Sequence, residues 1–272
     1  PSRRSLGRVA IAITEEMNAQ HRLGMTIQGN SAPFPLGQDF FTDLSGPIVG
    51  LPGQTSASVT SLNITDSRVL TTSDYRLDYD GTDITLTRLS DNKVFTGAAG
   101  ATLADTINNL NNQIDATLPT YVGTDPQGFS IDNTSTITAG ETFLMRPTFE
   151  ASANIDVAVN NVLDIALAGP IVSGAVMNPD GSAVNSGSAK ISLPDIASLN
   201  NIPLTGNAIT PFDINLQFNA DLNGGVPPVT PGFTVTSLTI PALNVDIAYD
   251  PTADFGGKTF AFDGVTLDAS GA

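Results

Sequence analysis

The chain has one histidine, His21, and no cysteine. Any nucleophile activated by an imidazole must therefore use that single side chain. It sits within a helical pattern, and no Gly-x-Ser-x-Gly elbow occurs to present a serine beside it. A surface or interface histidine is the simpler reading. With no thiol and one imidazole, the usual zinc sets are absent. No Gly-x-Gly-x-x-Gly run and no Gly-Lys-Ser/Thr loop occurs to cradle phosphate. Glutamate is confined to Glu15, Glu16, Glu141 and Glu150, but aspartate is abundant, so a carboxylate pair for glycoside hydrolysis stays open by count. The absence of Trp and the presence of only 4 Tyr leave a sugar cleft poorly provided. Aspartates crowd residues 74–83. With Gly81 placed at the sixth position of a calcium loop, Arg76 falls at the first and Thr87 at the twelfth, so the ligand pattern fails at both ends. The same residues read as a hairpin with an Asp80-Gly81 turn. Asn63-Ile64-Thr65 and Asn133-Thr134-Ser135 match the glycosylation sequon, a pattern that arises often by chance. The expectation is of no catalytic, cofactor-binding or metal-binding residues, and of no cofactor.

Composition narrows the class further. The 272 residues are 40% hydrophobic and only 14% charged, below the usual quarter. That balance suits one large or two medium domains rich in short strands and turns. A net charge of −16, with no basic run beyond Arg3-Arg4, speaks against nucleic acid and against anionic membrane surfaces. No apolar window reaches a membrane span, and no signal peptide is visible in residues 1–20. The start at proline and the stop at Gly271-Ala272 within a strand-like unit suggest an excised fragment.

The elements follow from periodicity. Residues 5–23 are predicted helical, with Leu6, Val9, Ala10, Ile13 and Met17 on one narrow face and Gly24 as terminator. So narrow a stripe fits a seam with one partner helix, formed by Leu6, Val9, Ile13 and Met17. Docking onto the chain's own β domain is the other possibility. Residues 25–45, with Gly29, Pro33, Pro35 and Gly37, read as an irregular connector. Residues 55–146 are predicted mostly as strands. Tyr75, Leu77 and Tyr79 alternate with charged residues, residues 84–89 return, and a turn at Ser90-Asp91-Asn92 leads to Val94-Phe95. One helix interrupts them, capped by Thr102 with Asp105, burying Leu103, Ile107, Leu110 and Ile114, and closed by Pro119. Strands are expected at 129–131, 142–146 and 155–159. From residue 168 the texture changes, and Phe212, Ile214, Leu216 and Phe218 give the cleanest period-two segment. Further strands are expected at 233–240, 243–249 and 259–263.

The fold class expected is mainly β, with a short N-terminal helical segment and two β-rich domains of antiparallel strands. The expected domains are residues 1–44 (end of a helical domain and connector), 45–167 (β-rich with one short helix) and 168–255 (a second small β domain). Residues 256–272 are expected to return towards the first β domain or to begin a further truncated unit. Phe129-Ser130-Ile131-Asp132 echoes Phe260-Ala261-Phe262-Asp263, which fits the latter.

Three segments carry a family resemblance. The first runs from Leu6-Gly7-Arg8 through Asn18, His21, Gly24 and Gly29 to Gly37-Gln38-Asp39-Phe40-Phe41. The second is Thr72-Ser73-Asp74-Tyr75-Arg76-Leu77-Asp78-Tyr79-Asp80-Gly81, continuing to Leu86-Thr87-Arg88-Leu89-Ser90-Asp91. The third is Ala139-Gly140-Glu141-Thr142-Phe143-Leu144-Met145-Arg146-Pro147-Thr148. In order and spacing they resemble the bacterial flagellar hook-associated protein 1 family, which joins hook to filament. The resemblance covers residues 6–150 and leaves 168–255 assigned by position alone. It implies a structural subunit outside the cell, exported unfolded by the flagellar type III apparatus. It also implies partners: neighbouring copies in a ring or helical layer, the hook protein and the second junction protein. Without the long terminal helices of that family the isolated chain is expected to be monomeric. The lack of cysteine agrees with an extracellular assembly built without disulfides. The alternative from another class is an extracellular binding or adhesin β module.

Overall fold

The computed structural model describes residues 2–27, 34–44, 46, 48–50, 62–182, 184, 187–192, 194–200, 202–240, 244–262 and 265–271. In chain order the elements are α1 (Ser2–Leu23), β1 (Phe34–Pro35), β2 (Ile48–Gly50), β3 (Leu62–Ile64), β4 (Tyr75–Tyr79), β5 (Ile84–Arg88), β6 (Lys93–Gly97) and α2 (Leu103–Ile114). Next come β7 (Phe129–Ile131), β8 (Thr142–Met145), α3 (Ala151–Asn154), a 3-10 turn (Val162–Asp164), β9 (Lys190–Ile191), β10 (Asp195–Ile196), β11 (Leu204–Thr205) and β12 (Ala208–Ile209). The last are β13 (Asn215–Asn219), β14 (Gly232–Thr236), β15 (Val245–Ala248), β16 (Lys258–Phe262) and β17 (Val265–Ser270). All strand pairs in these sheets are antiparallel. The mainly β class with an N-terminal helix is therefore what the chain adopts.

The chain divides into two compact units. One comprises residues 1–18 and 39–158, the other residues 19–38 and 159–272. The first is built on a five-stranded sheet in the order β2-β8-β4-β5-β6. Alternation in β4 sends Tyr75 and Leu77 inward, where they meet Ile84 and Leu86 of β5 and Phe95 of β6. The β4–β5 turn forms because Asp80 Oδ1 accepts the backbone N–H groups of Thr82 and Asp83, while Gly81 takes φ +99°. Helix α2 starts at a complete capping box: Thr102 Oγ1 accepts from Asp105 N, and Asp105 accepts from Thr102 N. Its Ile107, Leu110 and Ile114 fill the same core. The β3–β7 ribbon adds Leu62, Phe129 and Ile131, and the Phe129 ring meets Tyr75 edge-on at 4.9 Å.

The second unit holds three small sheets: β1-β12-β11, β13-β14-β15, and β10-β17-β16 with β9 also on β17. One core gathers Phe233, Val235, Ile240, Tyr249, Phe260, Val265 and Leu267. Another gathers Leu36, Ile196, Ile202 and Ile209, with Leu23 and Met25 against them.

Several expectations change. The unit boundary falls after Ala158, and residues 19–38 join the second unit. The connector carries a regular piece, since β1 pairs with β12 and Thr26 N donates to Pro35 O at 2.9 Å. Residues 155–159 form no strand; they offer only a bridge between Phe41 and Val157. Residues 256–272, expected to return to the first β domain or to open a new unit, form the β16–β17 hairpin, and β17 pairs with β9 and β10 of the second unit. The reason is local: Val265, Leu267 and Ala269 alternate inward onto the core beside Phe233 and Phe260. Phe218 stays 45% exposed despite its clean alternation, because β13 lies at a sheet edge with one partner strand. The strands expected within 55–61, together with Gly29 and Pro33, lie outside the described residues.

Candidate assembly interface

Helix α1 has two unlike faces. One is fastened to the chain. Gly7 is buried, and a Cβ there would overlap the carbonyl oxygen of Thr148. Ala10 and Ile11 enter the first core, and Thr14 is buried beside them in sequence. Glu15 accepts from Ser67 N at 3.0 Å, and Arg8 Nη2 donates to Arg68 O at 3.2 Å. Asn18 closes a reciprocal pair with Phe41, donating to its carbonyl at 3.0 Å and accepting its N–H at 2.8 Å. His21 does the same work one turn on. Its Nδ1–H donates to Gln38 O, and its Nε2 accepts the Ala166 N–H at 2.9 Å, so geometry selects the Nδ1–H tautomer. Gly24 and Gly37 complete this clasp: Gly37 N donates to Gly24 O, and a Cβ at Gly37 would overlap His21 O.

The other face carries Leu6, Val9, Ile13 and Met17, exposed by 61%, 54%, 51% and 43%. These are the four residues expected on the seam. The structure leaves them together on the outside of the helix and uses Ala10, expected among them, in the core. Sequence reasoning missed the fastened face, although Gly7, Ala10/Ile11, Thr14, Asn18 and His21 recur at helical spacing. Apart from Ile11 its residues are small or polar, so apolar periodicity passes over them.

The rest of the chain offers little chemistry. Among the described residues, no group of three or more His, Asp or Glu is placed to hold a metal ion. The aspartates of the β4–β5 hairpin are engaged with backbone N–H groups, Arg76 and Thr142. A depression in the second unit, bordered by Ile171, Val176, Ile191, Ile214, Leu216 and Leu267, has no charged side chain in its lining. It therefore supplies no general acid or base. No helix among the described residues is long and apolar enough to cross a membrane.

The second and third quoted segments lie in the first unit, together with residues 6–18 and 39–41 of the first segment. β4 pairs with β8 so that Tyr75 faces Met145, and Gly7 of α1 abuts Thr148 just beyond that strand. Residues 52–120 match the family model described as the D2-like domain of flagellar hook-associated protein 1. Over that segment the chain is similar to flagellar hook-associated protein 1. Proteins of that name from Salmonella typhimurium and Escherichia coli are 30% identical over 181 residues and 26% identical over 184 residues. Those matches cover 66% and 67% of this chain but only 28% and 29% of the relatives. The chain thus spans under a third of the hook-associated proteins it matches. The solved structure of the flagellar hook junction protein FlgK from Burkholderia pseudomallei superposes with a TM-score of 0.61 at 23% identity, covering 100% of this chain and 46% of that one. That likeness shows a shared fold.

Proposed function

We propose that this chain is part of a structural subunit at the junction between flagellar hook and filament, working by packing and without catalysis or cofactor. The observation that carries the reading is the divided helix α1. One face is fixed by Gly7, Asn18 and His21, and the other leaves Leu6, Val9, Ile13 and Met17 exposed. Each such side chain contributes about 1.5–3 kcal/mol when fully buried, enough for a four-residue seam to hold a neighbouring helix. Kinship with hook-associated protein 1 makes that partner another helix of the assembly. The two β-rich units then project from the helical layer. The partners are neighbouring copies, the hook protein and the second junction protein, outside the cell and reached by type III export. Nucleic acid and membrane have no place in this reading, and the adhesin-like alternative is not favoured by the relatives found.

The test is Ile13→Glu with Met17→Glu in the full-length parent protein, expressed in cells lacking it. The expected outcome is lost swimming motility with α-helical signal and melting temperature of the chain unchanged. Normal motility in the double variant would overturn the seam.

A further inference from the structure

The first unit is electrically polar along its own strands. At the Tyr75 end of β4, three arginines converge on one aromatic ring. The guanidinium of Arg146 lies 3.2 Å from the Phe149 ring centre, that of Arg3 4.2 Å and that of Arg4 5.9 Å. One carboxylate, Asp74, serves this group, gripped by Arg4 and 3.4 Å from Arg146 Nε. Arg3 is exposed and donates to the Phe149 carbonyl; among the described residues no acidic partner is found for it. Arg88 and Lys93 stand at the same end of the sheet, facing Asp91 and Asp125. Including Glu150, five cations meet four carboxylates there, within a protein of net charge −16.

The Tyr79 end has the opposite character. Asp78, Asp80 and Asp83 lie at the β4–β5 turn. Asp83 accepts from Ala99 N, which brings the Gly97–Asp105 segment and exposed Asp105 alongside. Gly140 N donates to Tyr79 O, placing Glu141 at the same end. Residues 77–84, 97–107 and 132–145 contain no lysine or arginine; Arg76 alone reaches in, onto Asp78. The five residues of β4 separate the two ends by roughly 15 Å.

We propose that the Arg3/Arg146/Phe149 end of one copy docks on the Asp80/Asp83 turn of a second copy, head to tail. Charge complementarity selects the occupant. The basic spot requires an acidic partner, and the same fold carries one at its far end, where among the described residues only Arg76 reaches in, onto Asp78 and not onto Asp80 or Asp83. Such a contact is heterologous, so repetition yields a ring or a helical layer. The charges steer and set register, with modest affinity for one contact alone. This deepens the junction reading and rests on it only for the claim that copies are neighbours.

The absence of cysteine allows a direct test. Thr72→Cys with Thr82→Cys places one exposed thiol near each end of the sheet. In the whole chain under mild oxidation, the expected result is a ladder of disulfide-linked dimers, trimers and higher species, forming faster at about 50 mM salt than at about 500 mM. Each single-cysteine control stops at a dimer. Adding Arg3→Glu and Arg146→Glu slows the ladder about tenfold, as does adding Asp80→Arg and Asp83→Arg. Carrying all four reversals together restores it. Arg3→Glu alone, at an exposed position, guards against misfolding at Arg146 and still slows the ladder. No ladder at either salt, a ladder indifferent to charge reversal, or no restoration in a folded four-fold variant would each overturn the proposal. Loss of the ladder with seam variants still abolishing motility removes this contact alone. A salt-sensitive ladder from a chain whose seam variants swim normally leaves the contact standing and removes the junction reading.

Discussion

Gly7 and Asn18 show how much of this helix is decided by single side chains. A methyl group at position 7 has nowhere to go, because the Thr148 carbonyl occupies its place. Gly7→Ala must shift the helix from the turn that follows β8, and overpacking of this kind costs about 1–3 kcal/mol. That loss should appear as a lower urea midpoint with an unchanged slope. Asn18→Ala strands both backbone groups of Phe41, again costing about 1–3 kcal/mol, whereas Asn18→Asp keeps one bond and loses less. A titration offers a third expectation at this scale. Arg88 holds the Asp91 carboxyl down from 3.8 to about 2, through a side-chain hydrogen bond first and backbone bonding from Lys93 second. A carboxyl depressed on folding stabilises above its unfolded pKa, and that contribution disappears as pH falls through the folded value. Melting temperature should therefore drop between pH 3.8 and about 2, and Asp91→Asn should flatten the drop. Because Asp91 is solvent-exposed, the effect is small and shrinks in salt. Tyr75 is the counterpart in the core. Burial pushes its phenol up to about 12, so it stays protonated and keeps its bonds with Thr71 and Gln127.

At the scale of elements, legibility tracks how local the determining interactions are. The start of helix α2 was readable because Thr102 and Asp105 stand three residues apart and cap each other, whereas the helix ends at Ile114, ahead of the expected stop at Pro119. Its apolar face points where 3.6-residue spacing requires, with Ile107, Leu110 and Ile114 buried. Thr102→Ala should lower stability by about 1 kcal/mol, seen in thermal unfolding followed by circular dichroism. What the sequence hides on that helix is Asn111, buried and paired with both backbone groups of Ile131, twenty residues away. A polar residue among apolar ones carries no periodic signal, and its partner is chosen by the tertiary fold. The β4–β5 hairpin was legible through Asp80-Gly81, whereas the ends of β13 were not. Alternation over Phe212–Phe218 extends beyond the pairing, which starts at Asn215. Phe212 and Ile214 instead pack as loop residues on the second unit's cores. The apolar stripe on α1 divides: Leu6, Val9, Ile13 and Met17 are exposed, whereas Ala10 enters the first core. The clasp of Asn18, His21, Gly24 and Gly37 was visible only as a pattern of residue types.

At the scale of the whole molecule, what escaped the sequence was the discontinuity of its units. A change of texture near residue 168 signals that something new begins, but not that residues 19–38 belong with it. That membership is made by pairings distant in sequence: β1 with β12, Met25 with Ala168, and His21 with Ala166. No window of neighbouring residues contains them. The apolar clusters nonetheless separate cleanly, with Leu86 in that of the first unit and Leu267 in that of the second. Each core is large enough in aromatic and branched side chains to melt cooperatively in its own right. Scanning calorimetry should accordingly resolve two transitions. Leu86→Ala and Leu267→Ala each remove a buried side chain, a change that costs about 2–5 kcal/mol. Leu86→Ala should lower the transition of the first unit and leave the other in place, and Leu267→Ala should do the reverse. The clasp variant His21→Ala should act with Leu267→Ala, because both imidazole bonds go to residues of the second unit. A single transition that both leucine variants move alike would mean that the two cores unfold as one, and the division of the chain at residues 18/19, 38/39 and 158/159 would then have no energetic meaning.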